Sequence, residues 1–217
     1  WGTITKYPAI AIGTGASAIS LCFPAVKEVS ETNLDEFTFE ELSQYELIYL
    51  SGFTYSERSK AEELVIKLSE AGVRIVILAD GVPEDQESHT TSFLDLICND
   101  VMFTNGYPLM DTKIGLLDCD FFPEGYEEWP TVYVEGLDEV WGTVQEDELT
   151  LDFYGTVKNE NIIVLGLNLT YYYSMTKDES AGRLLEEITG FVAGRLPERT
   201  IVPLEIIHGN NEITIHS

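Results

Sequence analysis

The chain has 217 residues, 44% of them hydrophobic, enough for one large α/β domain with a substantial core. Its formal net charge is −26, from 38 Asp plus Glu against 12 Lys plus Arg. Such a surface repels phosphate backbones and anionic lipid, so nucleic acid is excluded as a partner. No stretch has the length and apolarity of a membrane-spanning helix, and no signal peptide is recognisable. The chain starts at Trp1 rather than Met and stops at Ser217 after a strand-like run, which reads as a piece of a longer protein.

Ala9 to Ile12 is a short apolar run closed by Gly13-Thr14-Gly15-Ala16-Ser17, a strand followed by a tight turn. Ile19 to Val29 is apolar without a clear period and stays open between helix and strand. Phe37 to Tyr45 is helical in pattern, with Thr38 and Glu41 spaced as a capping box. Leu47 to Leu50 is a second buried strand, closed by Ser51-Gly52. Ser56 to Ala71 is the clearest helix, with Ser56 as its cap, Ala61, Leu64, Val65 and Leu68 on one face, and Gly72 as its stop. Val73 to Leu78 is a third strand, ending in Ala79-Asp80-Gly81.

Val82 to Thr91 is an acidic loop, and Phe93 to Ile97 suggests a short helix. From Val101 to Tyr154 the composition changes to Pro, Gly and aromatics, with candidate antiparallel strands at Gly115 to Leu117, Thr131 to Val134 and Leu149 to Phe153. Asn161 to Leu167 is a last buried strand, followed by the aromatic stretch Leu169 to Met175. Asp178 caps a helix running from Glu179 to about Gly194, buried along Leu184, Leu185, Ile188, Phe191 and Val192. Ile201 to Ile207 and Glu212 to His216 form a hairpin signal, with Pro203 suited to an edge strand. Four continuous apolar strands separated by helices imply a parallel sheet covered on both faces. The expected organisation is an α/β domain over 1–198 with a β-rich insertion at about 101–154, then a hairpin over 199–217 that opens a truncated β domain.

Several constellations invite a chemical reading. Gly13-Thr14-Gly15-Ala16-Ser17-Ala18 fits Gly-x-Gly-x-x-Ala after a strand. A dinucleotide fingerprint also needs a helix opening there and an acid ending the next strand about 20 residues on. The next clear strand ends in Ser51-Gly52 without an acid, so the glycines read as a turn that shapes a pocket floor. Asp80 sits at the carboxyl edge of the sheet, where clefts open in α/β folds, as do Ser51 and Gly52, which could offer amides to an anion. His89, His208 and His216 share no ligand spacing with a Cys or each other, so no metal and no cofactor is expected. Cys22, Cys98 and Cys119 form no Cys-x-x-Cys pair, and the first two sit in apolar runs as buried free thiols. Asp118 and Asp120, with the following glutamates, lack a calcium-loop pattern and read as a solvated acidic loop. Tyr171-Tyr172-Tyr173 follows the last strand toward the same edge, where an aromatic suits stacking on a sugar or peptide.

The run Tyr45 to Gly52, then a helix, Ala71 to Ile77, and Ile163 to Leu169 before a final helix resembles the class I glutamine amidotransferase-like fold over most of Ala9 to Arg195. That resemblance implies an α/β parallel-sheet three-layer sandwich, amidotransferase-like or flavodoxin-like. Active members carry a Cys on the turn after the third strand and a His with an acid near the last strand. Here those places hold Asp80 and Asn168-Leu169-Thr170, so glutaminase activity is not carried over. The chain is also similar to degenerate copies of this fold in large bacterial surface and membrane proteins labelled 6-pyruvoyl-tetrahydropterin synthase-related. The function this implies is a non-catalytic ligand-binding or interaction domain, extracytoplasmic and membrane-associated through its parent, whose partner is an unidentified small molecule or protein. The alternatives are a hydrolase or transferase using Asp80, and a cytoplasmic location. The candidate ligand-binding residues are Gly13, Thr14, Gly15, Ser51, Gly52, Asp80, Gly81, Asn168 and Tyr171.

With 38 acids against 12 bases, self-repulsion opposes the compact state until salt screens it. The melting temperature is expected to rise with NaCl at neutral pH, with Ca²⁺ at matched ionic strength adding little. A thermal-shift series checks both, and a saturable Ca²⁺-specific rise lost in Asp118→Asn with Asp120→Asn would overturn the reading of that loop.

Overall fold

The structure is a computed structural model describing residues 7–24, 26–84, 92–119 and 122–190, with the backbone of 205–209 and 212–216. The first half alternates strand and helix: β1 (Ala9–Ile12), α1 (Ala16–Cys22), β2 (Val26–Glu28), α2 (Phe39–Leu42), β3 (Leu47–Leu50), α3 (Arg58–Glu70) and β4 (Arg74–Leu78). Strands dominate the middle: β5 (Ile97–Phe103), β6 (Met110–Thr112), β7 (Gly115–Leu117), β8 (Trp129–Glu135), β9 (Glu139–Glu146), β10 (Leu149–Val157) and β11 (Asn159–Leu165). Then follow α4 (Leu169–Thr176), α5 (Glu179–Thr189), β12 (Glu205–Gly209) and β13 (Glu212–His216).

Nine strands form one sheet in the order β2-β1-β3-β4-β11-β10-β9-β6-β7. The first five are mutually parallel, and the rest continue the sheet antiparallel. The four strands expected from their apolar runs are therefore neighbours in one sheet, β1, β3, β4 and β11. Strands β5 and β8 pair as a separate antiparallel ribbon.

The parallel strands are apolar throughout because each face has its own cover. Ala9, Ala11, Tyr49, Val76, Leu78, Ile163 and Leu165 pack with Ile19 of α1, Tyr172 of α4 and Leu184, Leu185 and Ile188 of α5. The alternate residues Ile10, Ile12, Ile48, Leu50, Ile75, Ile77, Ile162 and Val164 pack with Ala61, Val65 and Leu68 of α3. Each such aliphatic side chain contributes about 1.5–3 kcal/mol when fully buried.

Several boundaries differ from expectation. The ambiguous stretch Ile19 to Val29 splits into the end of α1 and the short edge strand β2. Helix α3 starts at Arg58, and its cap residue Glu57 makes no side-chain capping bond. Asp35 replaces the expected Ser56 cap from outside the helix, its Oδ2 accepting from the amides of Ser56 and Glu57 at 3.0 and 3.2 Å. The Thr38–Glu41 capping box is present on the single-turn α2. The short helix expected at Phe93 to Ile97 is instead a tight turn over Phe93–Asp95, with Leu94 and Asp95 at φ 55° and 62°, and Ile97 opens β5. The aromatic stretch after the last strand is helical, α4. Helix α5 keeps its Asp178 cap, at 2.9 Å from the Ala181 amide, but ends at Thr189 because Gly190 takes φ 72°. Phe191, Val192, Pro203, His89 and Asp120 lie outside the described residues.

Three loops meet where β1, β3 and β4 end. The Gly15 amide donates to the Ser51 carbonyl at 3.0 Å, and the Gly52 amide to the Gly81 carbonyl at 2.9 Å. A Cβ on Gly81 would run into the amide nitrogen of Gly52, which is backbone and cannot move aside. Gly81→Ala is expected to cost about 1–3 kcal/mol in chemical denaturation. Gly72→Ala, where nothing among the described residues lies within 4 Å of the new Cβ, should cost only the left-handed backbone penalty of about 1 kcal/mol.

Candidate functional site

The strand after β1 lies on one side of it and β3 on the other, so the order reverses here, and it is at the carboxyl ends of such strands that clefts open in α/β sheets. A cavity of about 270 Å³ occupies it. Of the nine candidate residues, Thr14, Gly15, Ser51, Gly52, Asp80, Gly81, Asn168 and Tyr171 line it. Gly13 stands behind the lining, where a Cβ would strike the Ser51 carbonyl. The sequence reading missed Ala18, Ile19, Leu78 and Thr170 in the wall. Thr170 lies two residues past Asn168 and is 1% exposed.

Asp80 is partly buried, and its carboxylate is surrounded by donors. Oδ1 accepts from Thr131 Oγ1 at 2.6 Å and Oδ2 from the Asn168 amide at 2.7 Å. The amides of Asp80 itself and of Val132 also favour the ionised form. Loss of hydration nevertheless outweighs these bonds and raises the pKa from 3.8 to about 6. The carboxylate thereby ties the end of β4 to β8 and to the turn between β11 and α4.

That turn is strained. Leu167 and Asn168 take φ 64° and 46°, a left-handed conformation costing about 1–2 kcal/mol for each such residue. It is held from several sides. The Leu167 carbonyl accepts from Tyr107 Oη at 2.9 Å and Trp129 Nε1 at 3.0 Å, while the Leu167 amide donates to the Val132 carbonyl at 3.1 Å. Asn168 is thereby placed on the cavity wall, across from the β1 and β3 loops.

The glycine motif has the helix and the acid-ended next strand of a dinucleotide fingerprint, which the sequence reading denied it, but the acid stands nearer to the glycines than the roughly 20 residues such a site uses. Helix α1 opens at Ala16, and β2, hidden in the ambiguous stretch, ends at Glu28. The donors are nevertheless committed. The amides of Thr14, Gly15 and Ala16 donate to the carbonyls of Gly52, Ser51 and Gly13, and Glu28 accepts from Ser20 Oγ. The Gly52 amide is likewise bonded to Gly81, which removes the amide pair proposed at Ser51-Gly52 for an anion.

The other candidate groups fall elsewhere. Cys22 and Cys119 are buried free thiols and Cys98 is half-buried. Burial pushes the Cys22 thiol up to about 11. Cys119 Sγ donates to Asp178 Oδ1 at 3.2 Å, and burial together with that carboxylate holds its pKa well above the ordinary thiol value. Neither thiol is a nucleophile at neutral pH. Among the described residues no group of His, Cys, Asp and Glu could hold a metal ion. No helix among them is long and apolar enough to cross a membrane. Of the three tyrosines, Tyr172 is buried, Tyr173 half-buried, and only Tyr171, 39% exposed, lines the cavity.

Because the Asp80 pKa is higher folded than unfolded, the native state binds the extra proton between pH 3.8 and about 6. Its contribution to stability is therefore present at low pH and falls as pH rises through about 6, by roughly 3 kcal/mol in all. Asp80→Asn is expected to flatten that slope. Paired denaturation curves across the window check it, and parallel pH profiles for the two proteins would overturn it.

None of the curated proteins matches the chain. The family described as Domain of unknown function (DUF8560) matches residues 8–172, which run from the approach to β1 into α4 and include every residue lining the cavity. The match covers well over half of the sequence, and the chain belongs to that family.

Proposed function

We propose that the chain is a non-catalytic ligand-binding domain of a larger bacterial surface or membrane protein, with an amidotransferase-like three-layer architecture and a β-rich insertion. One contrast at the crevice carries the reading. The acidic group at the strand edge has its lone pairs filled by protein donors, whereas the side chains of Thr14, Ser51, Asn168 and Thr170 form no hydrogen bond within the described residues. A group already saturated is poorly placed to take a substrate proton, and unpaired polar side chains in a small concavity are suited to a ligand.

The pKa of about 6 at Asp80 favours a second reading, a hydrolase or transferase with Asp80 as general base. That reading needs a nucleophile bonded to its base; the hydroxyls of Thr14, Ser51 and Thr170 line the cavity without a bond to Asp80, and neither His nor Cys lines it among the described residues.

Ligand-observed NMR against a library of small metabolites tests the first reading. Binders should be lost in Ala18→Trp, which fills the cavity from a partly exposed helix position. No ammonia should be released from glutamine above a buffer control. Turnover of glutamine or of an ester, abolished by Asp80→Ala, would establish the enzyme instead.

A further inference from the structure

Resting on the ligand-binding reading above, we infer that the crevice takes a neutral, polyhydroxylated ligand of monosaccharide size. The chemistry of the lining excludes the other classes one by one. An anion needs a cation or free amides, but among the described residues no Lys, Arg or His lines the cavity, and the Thr14, Gly15 and Gly52 amides are bonded to carbonyls. The surrounding charge of −26 opposes an anion further. A cation needs an available carboxylate, and the Asp80 carboxylate, the one acid in the lining among the described residues, is bonded to Thr131 and to backbone amides. An apolar ligand would leave the Thr170 hydroxyl buried without a partner.

That hydroxyl is the strongest pointer. Thr170 lines the cavity at 1% exposure, and its Oγ1 has no hydrogen-bond partner among the described residues. Buried polar atoms are rarely orphaned, so a bound group that both donates and accepts would complete it. Thr14 and Ser51 add two hydroxyls to the lining, and Asn168 adds an amide. A hydroxyl donates and accepts, and an amide presents one acceptor beside two donors, which matches a pair of neighbouring ring hydroxyls.

Tyr171 supplies an aromatic wall. Its ring stacks on Trp129 with centroids 6.3 Å apart at 24°, and its hydroxyl pairs with Tyr126. A braced ring costs little entropy when the apolar face of a sugar settles on it. A cavity of about 270 Å³ falls just short of the range that holds drug-sized molecules and fits a single sugar ring.

The test uses the whole chain, with glucose, galactose, mannose and N-acetylglucosamine as probes, and inorganic phosphate and ethylamine as the anionic and cationic arms. Heteronuclear NMR titration should show saturable shifts with at least one sugar at a Kd of about 1 mM. Thr170→Val should weaken that binding about tenfold while leaving the melting temperature unchanged or higher, since it deletes an unpaired buried hydroxyl. A purely structural hydroxyl would show the opposite pattern. Asn168→Gly, which keeps the left-handed backbone and removes only the amide, should weaken binding at least as much. If phosphate or ethylamine binds in a way that these variants abolish and no sugar does, the sugar assignment falls and the ligand-binding reading stands. If no probe binds and the metabolite library also yields no ligand lost in Ala18→Trp, both fall.

Discussion

The carboxylate of Asp80 joins three segments that are distant in sequence: the end of β4, strand β8 through Thr131 and Val132, and the turn before α4 through Asn168. All the groups converging on it are donors. An ionised carboxylate accepts all of these bonds on its two oxygens, whereas an amide in its place would have to reverse the bond to the Thr131 hydroxyl, which can also accept. Burial costs the carboxylate hydration, and its raised pKa measures the balance. Burial alone raises the value, and the bonds from Thr131, Asn168, Val132 and the Asp80 amide pull it back down.

The bonding at the turn before α4 explains how two consecutive non-glycine residues persist in the left-handed region. Leu167 has no side-chain means of favouring φ 64°, so the surroundings impose it. Two aromatic donors hold its carbonyl, a strand carbonyl holds its amide, and Asp80 holds the next amide. Tyr107, Trp129 and Tyr172 also pack on one another, with Tyr107 and Tyr172 centroids 3.9 Å apart. The aromatic richness of the middle of the chain thus serves the turn that sets Asn168 and Thr170 at the crevice.

The parallel half of the fold was legible because it rests on local signals. Continuous apolar runs marked β1, β3, β4 and β11, and capping residues marked α2 and α5. Eight of the nine candidate residues line one cavity for the same reason, since each follows a strand on the same edge. What stayed hidden depends on distant partners. Asp35 caps α3 from more than 20 residues away in sequence, and no pattern around Ser56 reveals it. Thr131 carries no mark of its bond to Asp80, 51 residues upstream. Helix α4 is rich in tyrosine, whose modest helix propensity gives a weak local signal, and Phe93–Asp95 mimics a helix until two positive φ values end it.

The glycine motif shows most clearly why position and chemistry must be read separately. Strand, turn, helix and acid-ended strand follow one another from β1 to Glu28 as in a phosphate-binding unit. In such a unit the turn amides face the ligand. Here they face the β3 loop, and the glycines exist because that loop lies too close for any Cβ. Backbone polarity is consumed in joining β1 to β3 and β3 to β4. Among the described residues the crevice is left with side-chain hydroxyls, one side-chain amide and one braced aromatic ring, and in the binding proposed above hydrogen-bond pattern and shape, rather than charge, would decide what enters.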